Sequence, residues 1–217
     1  MEAALRPARP RDVAGPGVTD EEQDPAGAAH DEDGAAHATD RAANAQDPAA
    51  RDQDRAARAA DRSRTIAYLD LAEGRGPVPV LDDEGIADLL RSTRRIAVIG
   101  ASSNPGRPSF GVFRYLVHQG YECVPINPNE REVFGIPAFR SLGEAVEATG
   151  PFDIVDVFRR SELCEPHARE AVDARARCLW LQLGVINWDA ARIAHDAGLA
   201  VVIDRCTAIE HRRIRGR

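Results

Sequence analysis

Arg95-Ile-Ala-Val-Ile-Gly-Ala-Ser-Ser-Asn-Pro-Gly-Arg-Pro-Ser109 decides the fold. The apolar run Ile96 to Ile99 is too short for a helix and rich in β-branched residues, so it reads as a central, buried strand. Gly100, Ala101, Ser102 and Ser103 follow with little side chain, which leaves backbone N–H groups open to an anion. After Pro108, Ser109 can cap a helix running through Phe110, Val112, Phe113, Tyr115 and Leu116, with Gly120 ending it. Strand, small-residue loop and helix N-terminus together predict a phosphate-binding corner. Arg107 adds a fixed positive charge suited to a phosphate-rich ligand; its alternative role is an ion pair with a surface carboxylate.

The corner departs from a dinucleotide fingerprint. A nicotinamide or flavin site usually shows Gly-x-Gly-x-x-Gly, with an acidic residue roughly 20 residues on to hold the ribose. Here Ala101 and Ser102 follow Gly100, and the next glycine is Gly106. The second strand, Glu122-Cys-Val-Pro-Ile126, ends in Asn127-Pro128-Asn129 with no carboxylate at its tip, and Glu130 comes slightly late.

Outward from this stretch, elements alternate. A helix opens at Asp82-Asp83-Glu84, followed by strand 96–99, helix 109–119, strand 121–126 and an irregular piece around Val133-Phe-Gly-Ile136. A short helix near 142–148, strand 154–158, helix 162–174 and strand 178–181 come next. Helix 188–197, strand 199–203 and a helical turn near 207–213 complete the order. This predicts an α/β fold: a Rossmann-like, doubly wound, mainly parallel sheet with helices on both faces. Ligands of such sheets bind at the carboxyl ends of the strands.

Residues 1–64 differ in kind. They contain no Ile, Phe, Tyr or Trp, and carry 14 acidic residues against 9 arginines. Such a segment buries too little apolar surface to offset its ordering entropy, so a disordered N-terminal tail is expected. A solvated spacer, a partner-binding arm and a misassigned start codon are its three readings. Residues 65–217 have the size of one domain, with a core over 82–214. Their net charge is near −2, which gives no basic excess for nucleic acid. No apolar stretch reaches the roughly 18 residues that cross a bilayer, nor signal-peptide length near the N-terminus. Cys123, Cys164, Cys178 and Cys206 show no metal spacing, and Cys123 and Cys178 read as buried small hydrophobes. A cytoplasmic location follows by default. Apolar positions on the outer helices could support a homodimer.

The strand ends supply the candidate site. Asn127 and Pro128 offer a short amide and a fixed turn for an adenosine or ribose, or form an ordinary Asn-Pro turn. Phe158 and Arg159, with Arg160, leave the apolar strand Ile154–Val157 and suit an adenine face and a phosphate. Gln182 brings a donor and an acceptor to a strand end, and Gly184 allows close backbone approach. Asp204 and Arg205 are expected to form an ion pair that fixes the last loop. Glu210 and His211 are neighbours on a helix, point in different directions and read as structural.

Gly100-Ala-Ser-Ser-Asn-Pro-Gly-Arg-Pro-Ser109, Gly120-Tyr121, Pro125-Ile-Asn-Pro128, Val157-Phe-Arg159, Trp180-Leu-Gln-Leu-Gly184, and Asp204-Arg-Cys206 with Glu210-His211 occur in this order. The set resembles the stand-alone CoA-binding proteins, which are similar to the nucleotide-binding domain of the succinyl-CoA synthetase α subunit. The resemblance covers roughly residues 82–214. It implies a Rossmann-like fold holding coenzyme A or an acyl-CoA. By motif match, Gly100, Ala101 and Ser102 with Arg107, Pro108 and Ser109 would hold the diphosphate. Asn127 and Pro128 would border the adenosine, and Phe158, Arg159, Gln182 and Gly184 would line the groove. The family often has Ile-Lys after Asp-Arg-Cys, where this chain has Thr207-Ala208.

No Ser-His-Asp or Cys-His order stands out, and none of the six histidines lies in a loop built for phosphoryl transfer. The expectation is a CoA-binding module without chemistry of its own. The alternatives are an NAD(P)-binding oxidoreductase or redox-sensing domain, with a carboxylate gripping the ribose near Asn127, and a mixed disulfide of Cys206 or Cys164 with the CoA thiol, which needs an exposed, low-pKa thiolate.

Overall fold

A computed structural model describes residues 48–216. Its elements are α1 (Pro48–Ala72), α2 (Asp83–Ser92), β1 (Arg95–Ile99), α3 (Pro108–His118), β2 (Glu122–Ile126), β3 (Glu132–Val133), β4 (Ile136–Pro137) and α4 (Leu142–Thr149). There follow β5 (Ile154–Val157), a 3-10 turn (Ser161–Leu163), α5 (Cys164–Asp173), β6 (Cys178–Leu181), α6 (Trp188–Asp196), β7 (Ala200–Val202) and α7 (Thr207–Arg215).

Five strands form one sheet in the order β2-β1-β5-β6-β7, every neighbouring pair parallel. The chain leaves β1 toward one edge and returns past it to β5, so the order reverses between these two strands. That reversal opens a crevice at their carboxyl ends. Strands covered on both faces favour near-continuous apolar runs, and Ile96 to Ile99 and Cys178 to Leu181 are such runs, almost fully buried.

Alternation along each strand feeds two cores. On one face Ile96, Val98, Ile154, Cys178, Trp180 and Val202 pack with Ile86, Leu89 and Leu90 of α2 and Phe113 and Leu116 of α3. On the other, Ala97, Ile99, Val155, Val157, Leu179, Leu181 and Val201 pack with α4, α5 and α6. The small residues Ala168, Ala171, Ala190, Ala191 and Ala194 are all fully buried there.

Local signals set several boundaries. Asp82 accepts from Gly85 N at 2.8 Å and caps α2, while Asn187 accepts from Ala190 N at 2.7 Å and caps α6. The expected cap of α3 is corrected: Arg107 is the N-cap, with no side-chain cap bond, and Pro108 takes the first helical position. Ser109 is buried inside the first turn, and its hydroxyl donates to Gly100 O at 2.9 Å. The irregular piece near Val133 is a two-stranded hairpin turning at Phe134 and Gly135, both with positive φ.

The expected tail reaches into ordered structure. Residues 1–47 lie outside the described residues, but 48–64, for which disorder is also expected, are helical as part of α1. None of the α1 residues is buried. Residues 48–64, dominated by Ala, Arg and Asp, offer no core face yet are rich in two of the strongest helix formers, while Leu71 near the C-terminal end of α1 packs against the core.

Gly100 sits at the reversal point with φ +80, and a Cβ there would lie 2.5 Å from the Phe158 carbonyl oxygen. Gly100→Ala should therefore lower stability in denaturant unfolding by about 1–3 kcal/mol, the usual cost of such strain. Gly111, within α3, faces open space where the methyl group of an alanine would stand. Gly111→Ala should gain up to about 1 kcal/mol in the same assay. An unchanged midpoint for Gly100→Ala would show that the two loops are free to separate.

Candidate functional site

The loop after β1 meets the loop after β5 across the reversal point. Gly100 N donates to Ile126 O at 2.8 Å and Phe158 N donates to Ile99 O at 2.9 Å, so both exits continue the sheet's bonding before they diverge. Ala101 is fully buried, whereas Ser102 is half-buried and Ser103 through Arg107 are exposed. The Ser102 N–H has no acceptor among the described residues. The loop then turns on itself, with Gly106 N donating to Asn104 Oδ1 at 2.8 Å and Arg107 N to Asn104 O at 3.0 Å.

Three arginines come near this corner from different elements. Arg107 stands at the start of α3, and Arg159 and Arg160 leave β5; all three are exposed. Among the described residues Arg107 and Arg159 have no ion-pair partner, and Arg160 reaches Glu162 only at 3.8 Å. The surface carboxylate of Arg107's alternative role is absent from its surroundings among those residues.

The remaining sequence candidates divide into open and internally bonded groups. Pro128 is exposed and Phe158 half-buried, both at strand exits. Asn127 commits its amide inward: Nδ2 donates to Ala101 O at 2.8 Å, and Oδ1 accepts from Asn129 N at 3.0 Å. This side chain ties the β2 exit to the β1 exit. Gly184 has φ +81, and its N–H donates to Asp204 Oδ1 at 2.6 Å. Gln182 is buried, with Nε2 donating to Asp156 Oδ1 at 2.7 Å and Thr207 Oγ1 at 2.8 Å.

Asp156 lies within the strand that the sequence reads as apolar. It is fully buried, and Thr207 Oγ1 donates to its Oδ2 at 3.0 Å, closing a triangle of Asp156, Gln182 and Thr207. Burial pushes its carboxyl up to about 7, against the opposing pull of the Gln182 and Thr207 hydrogen bonds. The one available signal is a charged residue inside Ile-Val-Asp-Val, a run otherwise suited to a two-sided core.

Sequence reasoning also misses Glu130 as a site residue. Its Oε1 accepts from Ser102 Oγ at 2.8 Å and Ser103 N at 3.0 Å, and its Oε2 accepts from Ser103 Oγ at 2.8 Å. These bonds, the Ser103 hydroxyl first, hold the carboxyl below the ordinary glutamate range.

The last loop is organised differently from the expectation. Arg205 does not pair with Asp204; it donates to Asp83 Oδ1 at 2.6 Å and Glu210 Oε1 at 3.0 Å, and Arg213 bridges the same two carboxylates at 2.8 Å each. Asp204, at φ +56, turns back to the Gly184 amide instead. Asp204 thus braces the β6 exit, and the four-charge cluster joins α2 to α7. Glu210 is buried in that cluster, while His211 faces Tyr115, whose hydroxyl lies 3.0 Å from Nδ1.

The cysteines Cys123, Cys164 and Cys178 are buried and Cys206 half-buried. Burial pushes the Cys164 thiol up to about 11, which removes the thiolate that its disulfide role needs. Among the described residues no group of three His, Cys, Asp or Glu is placed to hold a metal ion, and no helix is long and apolar enough to cross a membrane.

The Asp156 environment yields a signed pH effect. A carboxyl raised in the folded state contributes stability at low pH that is lost as pH climbs from its unfolded value near 4 to about 7. The stability difference between the native chain and Asp156→Asn should fall over that window. A constant difference from pH 4 to 8 would show that Asp156 titrates normally.

The matching family model is the CoA binding domain, and it spans residues 94–212. A protein of Bacillus subtilis, the uncharacterized YneT, is 38% identical over 126 residues, 58% of this chain and 91% of its own length. A hypothetical protein from Pyrococcus horikoshii OT3 superposes with a TM-score of 0.59 at 33% identity, covering 63% of this chain and 94% of that one. A Thermus thermophilus structure has a TM-score of 0.57 at 37% identity, with 62% and 99% covered. A shorter match, 41% over 58 residues, joins 26% of this chain to 13% of the α subunit of an ADP-forming acetate–CoA ligase from Pyrococcus furiosus. Since the family match takes in every strand of the sheet and the loops at their carboxyl ends, the chain belongs to the CoA-binding domain family.

Proposed function

We propose that this protein binds coenzyme A or an acyl-CoA at the carboxyl ends of its parallel sheet, as a binding or regulatory module without chemistry of its own. The observation that carries this reading is the corner at the strand-order reversal. There a glycine that cannot carry a side chain opens a Ser102–Ser103 loop beside Arg107 and Arg159, two cations without ion-pair partners among the described residues. Coenzyme A carries a diphosphate and a ribose phosphate, so a cationic rim around a small-residue loop suits its charge.

In this reading Gly100, Ala101 and Ser102 offer the backbone approach to the diphosphate, and Arg107 supplies its countercharge. Pro108 and Ser109 set the entry of α3; Ser109 acts by fixing Gly100 O rather than by touching ligand. Asn127 and Pro128 border the adenosine, with Asn127 acting through its bond to Ala101 O. Phe158 and Arg159 line the groove beside Gly184, and Gln182 supports it from beneath through Asp156 and Thr207. The unpaired cysteines suit a reducing compartment such as the cytoplasm, where the coenzyme is used.

One observation favours a second reading, an NAD(P)-binding domain. Glu130, whose N–H donates to Asn127 O, brings a carboxylate to Ser102 and Ser103 shortly after the β2 exit, where a ribose-gripping acid belongs in a dinucleotide site.

A thermal-shift series on the purified chain with CoA, acetyl-CoA, NAD, NADP and ATP separates the two. A ligand at 100 times its dissociation constant stabilises by about 2.7 kcal/mol. Stabilisation by CoA or its ester, with little by NAD, is the expected outcome; stabilisation by NAD or NADP alone would replace this reading with the second. Arg107→Ala should weaken CoA binding by about tenfold, the loss of one charge-assisted contact. Unchanged affinity would take Arg107 out of the site.

A further inference from the structure

All but one of the donors of the small-residue loop, the Ser102 N–H, are already in use among the described residues. Ser102 Oγ, Ser103 N and Ser103 Oγ converge on one carboxylate, that of Glu130, within 2.8–3.0 Å. Two hydroxyls and a backbone N–H around two oxygens form the same kind of donor set that a phosphate's oxygens would recruit. The Glu130 side chain does not arrive there by chance flexibility of a long loop. On its N-terminal side Asn127 is bonded to Ala101 O at 2.8 Å, and Glu130 N donates to Asn127 O at 3.3 Å. On its C-terminal side Val133 is fully buried, and Phe134 packs on Phe110 and Phe113 of α3 with ring centroids 4.7 and 6.1 Å away. The segment is therefore pinned at both ends across the mouth of the loop.

From this geometry we infer that Glu130 is a built-in competitor for the phosphate seat, and that it sets how tightly and how selectively the loop accepts anionic ligands. The inference rests on the reading of Gly100–Ser103 as a phosphate seat. A phosphate entering it must displace a carboxylate of the same sign, so the seat accepts only ligands whose other contacts, to Arg107, Arg159 and the adenosine border, outweigh that exchange. Small free anions lack those contacts and are turned away. The ligand class favoured is a nucleotide long enough to hold several of these points at once. Glu130 is an ordinary surface carboxylate whose pKa is lowered further by hydrogen bonds from Ser103 and Ser102, so it carries its charge, and the competition operates, at ordinary pH.

The test compares the native chain, Glu130→Gln and Glu130→Asp by calorimetric titration with two probes, CoA and inorganic pyrophosphate. Glu130→Gln keeps an acceptor oxygen and removes the charge, so it should bind both probes about tenfold more tightly than the native chain. Glu130→Asp retains the charge on a shorter arm and should fall between them. Tighter pyrophosphate binding by Glu130→Gln with no CoA binding by any form would support the seat and its competitor while removing coenzyme A as the ligand. Equal or weaker binding of both probes by Glu130→Gln would overturn the inference. CoA binding retained in all three forms at equal strength would overturn it while leaving the CoA reading intact. Thermal unfolding of the ligand-free variants checks that each is folded, and Glu130→Asp carries the comparison should Glu130→Gln be unstable.

Discussion

The backbone of Gly100 passes so close to the Phe158 carbonyl that a methyl group would stand 2.5 Å from its oxygen. This contact lies where the strand order reverses, between β1 and β5, whose following connections run toward opposite edges of the sheet. A side chain here would push the β1 exit away from the β5 exit. Ser109, which bonds to Gly100 O, would move with it, and so would Ala101, which receives the Asn127 amide. The start of α3, the turn after β2 and the arginines of two elements are thus referred to one glycine.

Polar groups inside the sheet serve a second purpose, fastening α7. Helix α7, with four charged residues among its nine, has limited apolar surface to dock with. It is held instead by Thr207 in the triangle with Asp156 and Gln182, and by Arg205 and Arg213 bridging Glu210 to Asp83 of α2. Trp180 adds its indole N–H to Arg205 O at 2.6 Å. Of the four-charge cluster only Glu210 is buried, and Asp83, Arg205 and Arg213 keep about a third or more of their side chains exposed, so these bonds orient α7 more than they add net stability. Here they fix the height of the last loop relative to the strand ends, and with Asp204 they fix Gly184 as well.

Much of this architecture is legible in the residues. The strands Ile96–Ile99 and Cys178–Leu181 are continuous apolar runs because a parallel sheet is covered on both faces, and caps such as Asp82 act over three residues. Those are local signals. Asp156 looks like a departure from an apolar strand because its partners lie 26 and 51 residues away, in Gln182 and Thr207. Glu130 comes slightly late for a ribose-binding acid, and nothing local shows that it meets serines 27 and 28 residues earlier. Arg205 reads as the partner of its neighbour Asp204, while the fold gives it Asp83, 122 residues distant. The composition of segment 48–64 speaks to what it cannot bury, although a helix needs only its own backbone bonds and residues such as Ala and Arg that tolerate them. The CoA-binding likeness rests on short motifs at the strand ends, which are the positions this fold exposes.

Sealing three of the four thiols inside the two cores has a practical side. Cys123, Cys164 and Cys178 are shut away from solvent, and only Cys206, at the N-cap of α7, is partly open. No other cysteine occurs in the chain. A maleimide fluorophore applied to the native protein would therefore report from one place, the rim of the β7 exit, without any cysteine having to be engineered away.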